Sequence, residues 1–202
     1  MEIQFTPEDN QRIREGIREK YNKVAVNPNG LFNYPTGRAG LEALGYNPKI
    51  VNSLPDAVSA SYCGVGNPFS LGEINEGEAV LDIGCGVGID LIFAAKMIGP
   101  AGKVVGVDMV SEMMEQGKGN IKMMGLENVT FVENSAEKLD FPDESFDVVI
   151  SNGVFNLIPD KEGAVAAAFR LLKPGGRFMI ADQVLVGVLQ KDLKSRIDTW
   201  FQ

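Results

Sequence analysis

Five short stretches of this chain read as nearly unbroken apolar runs: 79–83, 103–107, 128–133, 146–151 and 176–182. Runs of that length, bounded by glycine and polar turns, suit strands buried on both faces. Between them apolar residues recur at helical spacing over 88–98, 110–124 and 161–172, with a further helix expected from about 189 to the end. Gly175-Gly176, following Leu171-Leu172-Lys173-Pro174, reads as a helix stop before the last strand. Strand and helix alternating through short connections predict a doubly wound, mostly parallel α/β sheet with helices on both faces. Right-handed crossovers then bring all strand C-termini to one edge, where such sheets bind ligands.

Ahead of that region the pattern changes. Residues 8–22 are polar apart from Ile13, Ile17 and Tyr21, which share one helical face, and Asn27-Pro28-Asn29-Gly30 ends the run. From 31 to 66 the pattern is irregular, with one short helical run at 39–44. We therefore expect residues 1–72 to form a helical or irregular cap without a core of its own, and 73–202 to form the α/β domain.

The first strand and helix meet at Gly84-Cys85-Gly86-Val87-Gly88. Glycines let such a turn approach a ligand closely, and the helix N-terminus behind it offers N–H groups. Asp108, closing the second strand, is placed to accept hydrogen bonds from ribose hydroxyls. A nucleoside cofactor is implied. Dinucleotide binders need a third small residue for close helix packing, yet Ile89 stands in that place, which argues against a nicotinamide dehydrogenase. Asp82, just before the loop, would repel a pyrophosphate but suits the cationic amino group of S-adenosylmethionine (SAM).

Composition narrows the chemistry further. The 202 residues carry a net charge of −8 and no basic run, which disfavours nucleic acid and anionic membranes as partners. No apolar stretch is long enough for a membrane span and the N-terminus is no signal peptide, so the expected compartment is the cytoplasm. Histidine is absent, and Cys63 and Cys85 form neither a metal-ligand spacing nor a convincing disulfide pair. No metal site is expected.

The motifs VLDIGCGVG (80–88), VVGVDM (104–109), FVENSAEKLDFPDESFDVVISN (131–152) and LLKPGGRF (171–178) resemble those of class I SAM-dependent methyltransferases. That resemblance implies a Rossmann-like fold and assigns the methionine portion of SAM to Asp82, Gly84, Cys85, Gly86 and Gly88. It assigns the ribose to Asp108 with Met109, and the adenine to Ser135, Ala136 and Glu137. Most members carry Asp where this chain has Ser135. TGRAGLEALGYNP (36–48), CGVGNPFSLG (63–72) and SNGVFNLIPDK (151–161) are similar to the arsenite methyltransferase-like subgroup. Thiolates suit a soft metalloid, but where the subgroup places cysteines this chain has Val65, Gly153 or Ile158.

The implied activity is methyl transfer to a small soft acceptor, which requires positioning and no strong base. Asn152 is expected to face the methyl donor and, with Asn156, to serve the reaction, while Tyr34, Tyr62 and Asn67 are candidates for the acceptor wall. Two other readings stay open: a small-molecule C- or O-methyltransferase, and a SAM-binding module without catalysis. The family's last two strands are expected to be missing through truncation. The apolar fifth strand would then be an exposed edge, through which a homodimer could also form.

Overall fold

In the computed structural model, residues 5–28, 30–184 and 186 are described. Five parallel strands form one sheet in the order β3-β2-β1-β4-β5. They are β1 (Ala79–Ile83), β2 (Lys103–Asp108), β3 (Val129–Glu133), β4 (Phe146–Asn152) and β5 (Leu172–Ala181). Helices α5 (Ile89–Ile98), α6 (Ser111–Met123) and α7 (Lys161–Leu171) connect them. The doubly wound architecture expected from the alternation is the one observed. The helix expected beyond 189 lies outside the described residues.

Strand alternation divides the core. Val80, Val104, Val148 and Ile150 face α5, whereas Leu81, Ile83, Val105, Val107 and Val149 face the α7 side with Ala164, Ala168 and Leu171. Helix α5 is apolar nearly all round because it is covered on both sides, by the sheet and by the N-terminal segment. Val24, Leu41, Tyr46, Val51, Leu54, Val58 and Tyr62 join Leu91, Phe93, Val148 and Met179 in one continuous cluster.

That N-terminal segment holds more helix than its pattern suggests: α1 (Pro7–Val26), α2 (Gly37–Ala43), α3 (Pro48–Ser53) and α4 (Asp56–Ser59). The last two are single turns, too short to display a hydrophobic period. Asn47, whose carboxamide oxygen accepts from Lys49 N at 3.0 Å, and Pro48 start α3, and Pro55 starts α4. Helix α1 begins with a capping box, Asp9 N donating to Thr6 Oγ1 at 3.1 Å and Thr6 N donating to Asp9 Oδ2 at 3.0 Å. Thr6→Ala is expected to lower stability by about 1 kcal/mol, read as a shifted urea midpoint with unchanged slope.

Strand β5 starts earlier than its sequence suggests. Phe146 pairs with Leu172 but Val148 pairs with Arg177, so residues 173–176 bulge within the strand. Gly175, at φ +80°, supplies the left-handed turn of that bulge instead of stopping a helix. Among the described residues the outer edge of β5 has no strand partner, and no helix is long and apolar enough to cross a membrane.

Candidate active site

The strand order reverses between β1 and β4, and a crevice opens at the C-terminal ends of such neighbouring strands. Residues two apart share a sheet face, so the alternation that turns Val80, Val104 and Ile150 toward α5 carries Asp82, Asp108 and Asn152 to the same side. Here lies a cavity of ≈ 250 Å³. Its floor is the glycine turn. Residues from α1 and the 61–65 segment form its other walls, Ile17, Tyr21 and Cys63 among them.

The turn folds back on β2. Gly84 N and Cys85 N both donate to Val107 O, at 2.8 and 3.0 Å, and Gly88 N donates to Cys85 O. Gly86 N donates to Asp108 Oδ2 at 2.8 Å, while Val110 N donates to Asp108 Oδ1 at 2.9 Å. The N–H groups expected to meet a ligand are thus largely spent on the turn itself. Gly84 sits at φ +76°, and an added Cβ would lie 2.2 Å from Val154 Cγ2. Gly88, at φ +78°, caps α5 and lies outside the cavity lining. Cys85 lines the cavity but packs its sulfur onto Gly106, where a Cβ would fall 2.7 Å from Sγ.

Three carboxylates converge at the cavity. Asp82 is 2% exposed, and its carboxylate takes no hydrogen bond among the described residues. Burial, then the nearby Asp90 and Asp108, pushes its pKa well above the ordinary carboxylate range. Burial also raises Asp108, against the backbone N–H groups that favour its ionised form. Asp90 escaped the sequence reading. Burial lifts its pKa to about 6, opposed by hydrogen bonds from Asn152 Nδ2 at 3.0 Å and Tyr46 OH at 2.7 Å. Its one sequence signal was an acid in the first turn of an otherwise apolar helix.

The remaining expected residues divide. Met109, Ser135, Ala136, Glu137, Asn152 and Asn156 all line the cavity. Glu137 is already engaged, Arg14 donating to it at 2.6 Å and so tying α1 across the opening. Asn156 Oδ1 is buried without a hydrogen-bond partner among the described residues. Tyr34 and Tyr62 line the cavity, but Asn67 does not. Its side chain accepts from Phe69 N and donates to Gly45 O, a purely local brace. Arg14, Lys20 and Tyr21 also line it, and nothing in the spacing of α1 separates Arg14 from Arg12 or Arg18.

A family model described as a methyltransferase domain matches residues 74–202. The chain belongs to the methyltransferase-domain family. Over 98% of its length this methyltransferase-family chain is 34% identical to an arsenite methyltransferase of Halobacterium salinarum, covering 54% of that protein. It is 37% identical to a ubiquinone/menaquinone biosynthesis C-methyltransferase of Pasteurella multocida, over 54% of this chain and 41% of that one. Among solved structures it resembles an arsenic(III) S-adenosylmethionine methyltransferase from Chlamydomonas reinhardtii. The TM-score is 0.61 and the identity 35%, over 74% of this chain and 50% of that one. The chain spans about half the length of the curated relatives it matches.

The methyl donor of this methyltransferase family is SAM, and the cavity suits it. Three buried acids call for a cation, which the sulfonium and ammonium groups of SAM supply, and a cradle at Gly84 has no room for a Cβ. Both Asp108 oxygens already accept backbone N–H groups, yet each keeps a second lone pair for a ribose hydroxyl. At the other end, Val65, Gly153 and Ile158 all line the cavity. A Cβ built on Gly153 would lie 3.3 Å from both Val65 methyls. Two of the positions to which the subgroup resemblance assigns thiols therefore meet, and here they meet as apolar surface.

Proposed function

We propose that this chain forms the SAM-binding part of a methyltransferase acting on a small soft acceptor, in the manner of the arsenite-methylating relatives. The observation that carries the reading is the convergence of Asp82, Asp90 and Asp108 on the glycine-lined cavity. Bound SAM supplies an electrophilic methyl group on a positively charged sulfur. Asp82 and Asp90 hold the cationic portion, Asp108 with Met109 the ribose, and Ser135 to Glu137 flank the base. Ile17 and Tyr21, clamped by Arg14 to Glu137, close the cavity against water. A soft acceptor brings its own lone pair, so the absence of histidine is no obstacle. Cys63, whose pKa is pushed up to about 12 chiefly by burial, stays a neutral thiol in the wall.

Residues 1–72 are read as the cap of this site and 73–202 as its domain. Free cysteines and the lack of a membrane-spanning helix among the described residues fit a cytoplasmic enzyme. The open edge of β5 suits a further strand, from the same protein or from a second copy. Titration with SAM and S-adenosylhomocysteine tests the cofactor, and folded protein that binds neither would refute the reading. Methylated arsenic formed from arsenite and glutathione, detected by mass spectrometry, tests the acceptor. The apolar meeting of Val65 with Gly153 favours a second reading, a small-molecule C-methyltransferase, and methylation of an organic acceptor but not arsenite would select it.

The acids also set a pH dependence. A cation favours their ionised forms, so SAM binding releases protons wherever the free carboxylates are protonated. Affinity is expected to rise with pH through the Asp90 value of about 6, and to go on rising beyond it for as long as Asp82, raised well above the ordinary carboxylate range, still holds its proton. The limiting slope is about tenfold per pH unit for each proton released. Calorimetric titrations between pH 5 and 8 would show this, and a flat profile would contradict it.

A further inference from the structure

Asn152 is spent on neighbouring protein groups at both ends of its carboxamide. Its Oδ1 accepts from Val65 N at 2.9 Å and Gly66 N at 3.1 Å. Its Nδ2 donates to Asp90 Oδ2 at 3.0 Å and Gly66 O at 2.9 Å, and lies 3.1 Å from Tyr46 OH. Tyr46 OH in turn donates to Asp90 Oδ1 at 2.7 Å, and Tyr62 OH donates to Gly66 O at 2.9 Å. Every proton in this cluster has an acceptor when Asp90 is ionised. The packing leaves no slack: a Cβ on Gly64 would fall 2.4 Å from Asn152 Nδ2 and 2.6 Å from Tyr62 OH.

A carboxamide has two nearly isosteric ends, so its orientation must be chosen by its neighbours. Asp90 is 7% exposed and anchored in the first turn of α5, and its oxygens can accept but not donate when ionised. They draw Nδ2 to themselves and leave Oδ1 for the N–H groups of the loop. Reversed, the amide would set oxygen against carboxylate and NH₂ against N–H. We infer that Asp90 is a positioning residue that orients Asn152, and through it holds the 62–66 loop as a wall of the cavity. The inference deepens the methyltransferase reading and rests on it for its consequence in binding. Asn152 therefore shapes the site without acting on the reacting atoms.

The test is a double-variant cycle. Asp90→Asn removes the orienting charge, Asn152→Ala removes the carboxamide it orients, and the double variant removes both. Hydrogen exchange at Val65 and Gly66 N–H, which Asn152 Oδ1 accepts, is read in the full chain without ligand, beside S-adenosylhomocysteine affinity. Asp90→Asn is expected to speed exchange at those two amides, and to weaken binding, each by about tenfold or more. Once Asn152 is alanine, adding Asp90→Asn is expected to change exchange at those amides by no more than a few-fold. Unchanged exchange in Asp90→Asn, or effects of the two substitutions that simply add, overturns the inference. Should Asp90→Asn fail to fold, Asn152→Ala alone is read: faster exchange at both amides supports the wall, and unchanged exchange overturns it. If native protein does not bind the cofactor product, the methyltransferase reading falls while the exchange data still decide the role of Asp90.

Discussion

Asp82→Asn is expected to melt a few degrees higher than the native chain without ligand, yet to bind SAM far more weakly. Asp82 is buried beside two further acids, with no hydrogen bond to its carboxylate among the described residues. Its pKa is raised on folding, so the native state holds a proton more tightly than the unfolded chain does. Such a group favours folding at low pH and loses that contribution as pH rises through its folded value. Above the ordinary carboxylate range its burial therefore opposes the fold, and a neutral amide removes the burden. Bound cofactor reverses the balance, because its cation is then the partner the carboxylate lacks. Truncating one member of a buried charge pair costs about 2–5 kcal/mol, or roughly 30-fold to several-thousand-fold in affinity. Thermal unfolding with and without SAM would show the two effects crossing. A variant that is both less stable and equally tight in binding would contradict this account.

Gly84→Val is expected to give the largest loss of stability among the cavity substitutions. The residue lies at φ +76°, and its Cβ would meet Val154 methyls at 2.2 and 2.7 Å. A left-handed backbone costs an L-residue about 1–2 kcal/mol, more when β-branched. Overpacking adds about 1–3 kcal/mol. At about 2–4 °C per kcal/mol for a chain of this size, the melting temperature should fall by roughly 5–20 °C, with no measurable SAM binding. Gly119→Ala is the matched control. It sits in α6 with open space around it and ordinary φ, so alanine should stabilise by about 0.5–1 kcal/mol.

Much of this site was legible because the sheet edge collects what the chain presents in series. Asp82, the glycine turn and Asp108 each end or follow a buried strand, and parallel pairing brings them together without further information. Asp90 was harder to read, since its place depends on Tyr46 and Asn152, which reach it from two other parts of the chain, and on Tyr62, which joins through Tyr46. Asn67 shows the opposite case: its carboxamide suits a ligand, but a local brace uses it up, and Gly88 serves locally as the cap of α5. The start of β5 was missed because Lys173 to Gly176 look like a stop signal, and only the pairing with β4 shows that they bulge within a strand.

The apolar cluster that joins the first helices to α5 and the sheet also bears on how the chain is made. Val24, Leu41, Val51 and Val58 emerge from the ribosome well before Val148, Ile150 and Met179 of the same cluster. At typical synthesis rates the early residues wait on the order of ten seconds for those partners. During that interval their apolar faces are open to chaperones or to another nascent chain. Loss of yield on rapid expression should therefore arise from the segment between Val24 and Val58, ahead of any defect in the finished fold.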